Sequence, residues 1–184
     1  METPAVAPAV LKTDEPWIAG TPAVGNKLIA YGGTWTFGTK FTYQWHANGA
    51  EIPGATDLTL LLTKEYADAA ITVAVTGTLD GYLPVTVVSP AAVDVELGTF
   101  SPSTPKITGT LKVGNTLKAN PVTVDNITHE FKWFADGDPI AGATESTYTL
   151  TEDEKGKQLT VQVTYNKDGY HPATKTSAKT TAIR

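Results

Sequence analysis

Residues 43–56 read YQWHANGAEIPGAT, and residues 131–144 read FKWFADGDPIAGAT. Trp45, Gly49, Ile52, Gly54, Ala55 and Thr56 return as Trp133, Gly137, Ile140, Gly142, Ala143 and Thr144, an offset of 88 as between Trp45 and Trp133. Self-similarity at a fixed spacing marks a duplicated structural unit. Toward the C-terminus the same offset carries Thr63, Asp80, Gly81, Tyr82, Pro84, Thr86 and Ser89 onto Thr151, Asp168, Gly169, Tyr170, Pro172, Thr174 and Ser177. Toward the N-terminus, Pro16, Gly20, Val24, Gly25, Asn26, Leu28 and Ala30 meet Pro105, Gly109, Val113, Gly114, Asn115, Leu117 and Ala119, an offset of 89 as between Pro16 and Pro105. The repeated unit is therefore a whole domain.

Inside each copy the hydrophobic period is two, which puts alternate side chains on opposite faces of a sheet. Phe41, Tyr43 and Trp45 alternate with Thr42, Gln44 and His46. Ile71, Val73 and Val75 alternate with Thr72, Ala74 and Thr76, and Leu159, Val161 and Val163 alternate with Thr160, Gln162 and Thr164. Asn48-Gly49 and Asp136-Gly137 supply the positive φ angles of tight hairpins, and Asp80-Gly81 and Asp168-Gly169 are expected to do the same. Short strands with Gly and Pro punctuation and no sustained helical period predict an all-β chain of two tandem antiparallel sandwiches.

Bulk properties fit that reading. A length of 184 residues accommodates two small all-β domains. The formal charge of −5 repels phosphate backbones, and no Lys/Arg cluster overrides it, so nucleic acid is not expected as a partner. No apolar run is long enough to cross a bilayer, so membrane insertion is not expected. METPAVAPAV lacks the basic start and continuous apolar core of a secretory signal. With no cysteine, disulfides and thiolate metal sites are excluded.

These residues resemble an immunoglobulin-like fold. By that resemblance Trp45 and Trp133 are the strand C tryptophans that fill each core, and TLTEDEKGKQLTVQV leads over the sheets into strand F. Leu28 and Leu117 on strand B, with Val73 and Val161 on strand F, then stand where the family's cysteine pair is missing. More specifically, Pro-x-Ile-x-Gly-Thr, Val-Gly-Asn-x-Leu, Tyr-x-Trp, Ile-x-Gly-Ala-Thr and Asp-Gly-Tyr are similar to a tandem repeat of actinobacterial surface proteins and of virion proteins of their phages. The resemblance covers residues 16–97 and 105–184. Copy two departs at ANPVTVDNITHEF, where the Gly-Gly-Thr-Trp of copy one has no equivalent.

The expected organisation is an extended N-terminal arm (1–15), domain 1 (16–97), a linker (98–104) and domain 2 (105–184). Pro102, with Pro105 just beyond its end, stiffens the linker, which implies a rod. The arm is too apolar for a solvating tail. It is expected to lie along a protein partner as an added strand, with Pro4, Val6, Pro8, Val10, Leu11 and Trp17 as candidate partner-binding residues. The alternative is that it docks on its own first domain.

Chemistry finds little to work with. His46, His129 and His171 are the only histidines, at no metal-binding spacing. Glu152-Asp153-Glu154, Glu65 with Asp68, and Asp94 with Glu96 are read as solvated corners and strand ends that lack calcium-loop spacing. Ser89, Ser101, Ser103, Ser146 and Ser177 lie in no nucleophile elbow. Asn126-Ile127-Thr128 matches the glycosylation sequon and is disregarded. Tyr31, Trp35 and Phe37 make copy one the more aromatic, as a docking patch or, for Trp35 above all, as core packing.

No catalytic, cofactor-binding or metal residue is therefore expected. The resemblance implies a non-enzymatic virion accessory, either a capsid decoration or a fibre-like protein. Its arm would anchor to a capsid or other virion protein and its domains would project from the virion surface. The alternative is a spacer or glycan-binding adhesin of a bacterial cell surface or secreted protein, with host glycans as ligands.

Overall fold

The computed structural model describes residues 8–90, 94–122 and 126–184; Pro4 and Val6 lie outside them. The chain forms two compact units, Met1–Gly98 and Thr99–Arg184. The first contains β1 (Ala9–Val10), β2 (Trp17–Ala19), β3 (Lys27–Tyr31), β4 (Lys40–Ala47), β5 (Ala50–Glu51), β6 (Thr59–Leu61), β7 (Ile71–Thr78), β8 (Tyr82–Leu83) and β9 (Val85–Val88). The second contains β10 (Lys106–Thr108), β11 (Thr116–Asn120), β12 (Ile127–Ala135), β13 (Asp138–Pro139), β14 (Thr147–Thr149), β15 (Leu159–Lys167) and β16 (Ala173–Thr176).

Each unit is a sandwich of a three-stranded and a four-stranded sheet. The sheets run β2-β3-β6 and β5-β4-β7-β9 in unit 1, and β10-β11-β14 and β13-β12-β15-β16 in unit 2. All pairings inside these sheets are antiparallel. The architecture is immunoglobulin-like, with one local difference from the constant-type arrangement, in which a fourth strand joins the three-stranded sheet. Here the two-residue turn folds β5 directly back onto β4. Asn48 and Gly49 both take positive φ, 51° and 81°, as do Asp136 and Gly137 at 52° and 101°. That pair of angles is the twist-matched hairpin turn.

The Asp-Gly pairs at the next connection behave otherwise. Only Gly81 and Gly169 have positive φ, 83° and 77°. Tyr82 N–H donates to Leu79 C=O at 3.0 Å and Tyr170 N–H to Lys167 C=O at 3.0 Å, which is a turn with one left-handed residue at its third position. The connection is correspondingly wider than a two-residue hairpin, and in unit 1 it carries β8.

Both cores are built around the tryptophans. Trp45 and Trp133 are fully buried, as are Val73 and Val161, with Leu28 and Leu117 at 1% and 0% exposure. A buried indole needs an acceptor for its N–H. Trp45 Nε1 finds Asp57 C=O at 2.9 Å and Trp133 Nε1 finds Glu145 C=O at 3.0 Å. Twelve residues separate donor and acceptor in both units, so the bond ties β4 or β12 to the chain entering β6 or β14.

Ser89 and Ser177 are buried just past the ends of β9 and β16. Each accepts from a β7 or β15 amide at 3.0 Å through its hydroxyl, Val73 for Ser89 and Val161 for Ser177. Each returns its own N–H to the same residue's carbonyl at 2.9 Å. The side chain thus extends the ladder where the strand itself turns away. This accounts for a repeated serine with no chemical task.

Candidate functional site

Pro8–Glu15 belongs to unit 1. Thr13 bridges Trp35 in the register that pairs Trp17 with Tyr31, so the segment prolongs β2 toward the N-terminus. Pro16, which has no N–H to donate, interrupts the ladder between them. Asp14 N–H donates to Thr34 C=O at 3.1 Å, and Asp14 Oδ2 accepts from Thr34 N–H at 3.1 Å. Farther out, β1 runs parallel to β8, pairing Val10 with Leu83. Of the candidate partner-binding residues, Leu11 is buried at 5% exposure, Val10 is 71% exposed, Trp17 is 51% exposed and Pro8 is exposed. Leu11 is a core residue of its own unit. In unit 2, Phe100 lies as far before Pro105 as Leu11 lies before Pro16. It packs edge-on against Tyr170 at 5.9 Å. Arm and linker are thus counterparts, each closing the end of the sandwich it precedes.

The aromatic group of copy one divides. Trp35 turns inward, 9% exposed, against Phe41 at 5.3 Å and 81°, with its Nε1 donating to Gly32 C=O. It covers Gly77, the position taken by Tyr165 in unit 2. Tyr165 is fully buried, stands edge-on to His129 at 5.1 Å, and donates its hydroxyl to Ser103 C=O at 3.1 Å. Burial raises its pKa. The indole of one unit and the phenol of the other fill the same space. That is why copy two manages without Gly-Gly-Thr-Trp.

Tyr31 turns outward and stacks on Trp17, ring centroids 5.1 Å apart and planes within 4°. The two are cross-strand partners on the outer face of β2-β3-β6. Side-chain alternation places Ala19, Ile29, Thr59, Leu61 and Lys27 on the same face, because Leu28, Ala30 and Leu60 point into the core. Trp17, Tyr31 and Leu61 are 51%, 42% and 49% exposed. The equivalent positions in unit 2 are Lys106, Thr108, Lys118, Asn120, Thr147, Thr149 and Thr116. One scaffold therefore presents an aromatic and aliphatic face in the first unit and a lysine, threonine and asparagine face in the second. Phe37 is also fully exposed, on the loop between β3 and β4.

The acidic residues do not converge. Among the described residues no group of three or more His, Asp or Glu side chains could hold a metal ion. Glu154 is buried at 4% exposure rather than solvated. It closes a capping box on the 3-10 turn Glu152–Glu154, its Oε2 accepting from Thr151 N–H at 2.8 Å and Thr151 Oγ1 at 2.7 Å. Burial opposes its ionisation and is the largest single influence. The Thr151 hydroxyl and amide and the Tyr148 hydroxyl together outweigh it and hold the carboxyl below its usual range. Tyr148 moves the other way, raised by burial and then by Glu154. On unit 1, exposed Glu65 is held low chiefly by its hydrogen bond to Thr63. Glu96 uses its backbone to join Pro22 and Val24 at 2.8 and 2.9 Å. His46 and His129 are half-buried, each with one ring nitrogen, Nδ1 and Nε2 respectively, buried and without a hydrogen-bond partner among the described residues, and His171 is exposed.

No family model matches the chain, and no curated protein is similar to it at a significant level. Among solved structures, it is similar to the tandem Ig repeats of Dlar at 14% identity, over 90% of this chain and 95% of that one, with a TM-score of 0.29. It is also similar to the FN1–FN3 domains of chicken CNTN1 at 13% identity, over 93% of this chain and 66% of that one, with a TM-score of 0.31.

Proposed function

We propose that the chain is a non-enzymatic recognition protein in which unit 1 engages a partner through the outer face of β2-β3-β6 and unit 2 serves as a spacer. The observation that carries this reading is the contrast between duplicates. Both units need the inward residues of these strands, but nothing in the scaffold demands Trp17 and Tyr31, since Lys106 and Asn120 occupy the same places. Exposed, clustered aromatic and aliphatic side chains mark interaction surfaces, and Trp and Tyr dominate binding energetics there. The described arm closes unit 1 with Leu11 and leaves Val10 outside as a secondary contact. The repeat motifs point to a virion or a bacterial surface as the setting.

The test replaces Trp17 and Tyr31 by the residues of the second copy. The full chain and its Trp17→Lys/Tyr31→Asn variant are compared for retention on purified phage particles and on isolated bacterial envelopes. Wild-type retention on one of these, lost in a variant that melts normally, is the expected result. Equal retention of the two proteins, or retention of neither, overturns the reading.

A further inference from the structure

Resting on that reading, we propose that the Trp17 face takes an extended basic segment of a partner protein, with an arginine guanidinium on the outer face of the indole. Three observations lead to a cation rather than a planar sugar chain. First, Trp17 and Tyr31 lie face to face, so each uses one ring face on the other. They do not lie side by side as a flat platform. Because β2 is the edge strand of its sheet among the described residues, no described sheet neighbour covers the second face of Trp17. An exposed indole face is the best side-chain site for a cation.

Second, the stack is rimmed by carboxylates. Glu15 precedes Trp17 by two residues and is exposed. The register that pairs Thr13 with Trp35 sets it opposite Gly33, which has no side chain to cover it. Asp57 is exposed and falls opposite Tyr31 when the β3–β6 register is continued. Asp14 is exposed beside them, one carboxylate oxygen already on Thr34 N–H. The cations nearby are Lys12, beyond Asp14 on the arm, and Lys27, four residues along β3 from Tyr31 and so about 13 Å away. Third, the unused copy carries Lys106 and Lys118 at the positions of Trp17 and Ile29, which would repel the same ligand. A net charge of −5 adds long-range attraction.

The test titrates the full chain with short peptides of alternating Arg and Thr, of alternating Lys and Thr, and with a cellulose or chitin oligosaccharide. The readout is the indole N–H signals, among which Trp17 is resolved by assignment against Trp17→Leu. The Arg peptide is expected to shift the Trp17 signal and to bind more tightly than the Lys peptide. Trp17→Leu keeps charge and apolarity, and should weaken the Arg peptide roughly 5- to 10-fold. Glu15→Gln should weaken it further and reduce its salt dependence. Equal binding of the Arg peptide by wild type and Trp17→Leu means generic attraction to an acidic chain and overturns the proposal. A Trp17 shift by the oligosaccharide and not by the Arg peptide also overturns it, and leaves the recognition role of the face standing. Failure of both probes overturns the cation assignment alone, since retention on particles or envelopes judges the face independently.

Discussion

Gly77→Ala adds a single methyl group, and the structure says where it goes. A Cβ on Gly77 would enter the Trp35 ring, with Cε3 at 2.6 Å and Thr39 Cγ2 at 2.8 Å. Carbon atoms in ordinary contact stand about 3.5–4.0 Å apart, so the ring must retreat by about 1 Å. The strand cannot yield, because Gly77 pairs with Phe41 on one side and Val85 on the other. The ring is held too, by Phe41 edge-on and by its N–H on Gly32. Overpacking of this kind costs about 1–3 kcal/mol, and outright loss of a buried Trp about 3–5 kcal/mol. The expected cost is therefore about 2–3 kcal/mol. At about 4–8 °C per kcal/mol for a domain of this size, the melting temperature of unit 1 should fall by about 8–24 °C while unit 2 is unchanged. Calorimetry of the full chain checks the value, and the Trp35→Ala background checks the cause. With the indole gone only the Thr39 methyl stands in the way, so Gly77→Ala should cost at least about 0.5 kcal/mol less, the coupling expected of groups in direct contact. Equal costs in the two backgrounds would refute the packing argument.

Three further outcomes are expected. Ser89→Ala and Ser177→Ala each leave a buried amide, Val73 or Val161, without its hydroxyl acceptor. Each should destabilise its own unit by about 1–3 kcal/mol in denaturant titrations, with the other unit unmoved. Leu11→Ala should lower the melting temperature of unit 1 by removing a buried side chain, about 2–5 kcal/mol at a full core site and toward the lower end here. An unchanged transition would mean that the arm does not close that unit. Glu154 has a lowered folded-state pKa. Its contribution is therefore complete above the unfolded value of about 4.3 and is lost as pH falls through the folded value. Between about pH 5 and 3, unit 2 of wild type should lose stability faster than unit 2 of Glu154→Gln, and parallel melting curves would contradict this.

What the sequence disclosed depended on whether a residue acts alone or through a partner. Trp45 and Trp133, the alternating valines and the Asn48-Gly49 turn carry their conformations in local pattern, and the duplication confirmed each by a second instance. Trp35 was ambiguous because its place depends on Gly77, forty-two residues away in the chain and silent by itself. Glu154 read as one acid among three on a wet corner. Its burial follows from Thr151 and from Tyr148 on a neighbouring strand, a relation that composition does not show. Trp17 and Tyr31 stand fourteen residues apart in the sequence, and only the β2–β3 register stacks them. In the sequence the arm allows two readings, a strand on a partner or a segment docked on its own first domain, because Pro16 breaks its ladder; Thr13 and Trp35 resume the same register beyond it.

The interior and the surface of the duplicates have diverged under different rules. Inside, changes come in linked sets that conserve filled space. Gly77 beneath Trp35, with Phe41 beside the indole, answers Tyr165 with His129 beside the phenol. Close packing requires this, since a change in one side chain alone leaves a void or a clash. On the outer face of β2-β3-β6 no such compensation operates. Trp17 faces Tyr31 where Lys106 faces Asn120, and the residues beneath both pairs, Leu28 with Ala30 and Leu117 with Ala119, are the same. The core therefore does not ask for the aromatic pair. Leaving two large rings about half exposed forgoes burial that an ordinary surface residue would not need, at about 25 cal/mol for each Å² of apolar area left wet. On the reading proposed above, a face that carries this cost in one copy and not in the other is covered by a partner, and the carboxylates around it select a basic one.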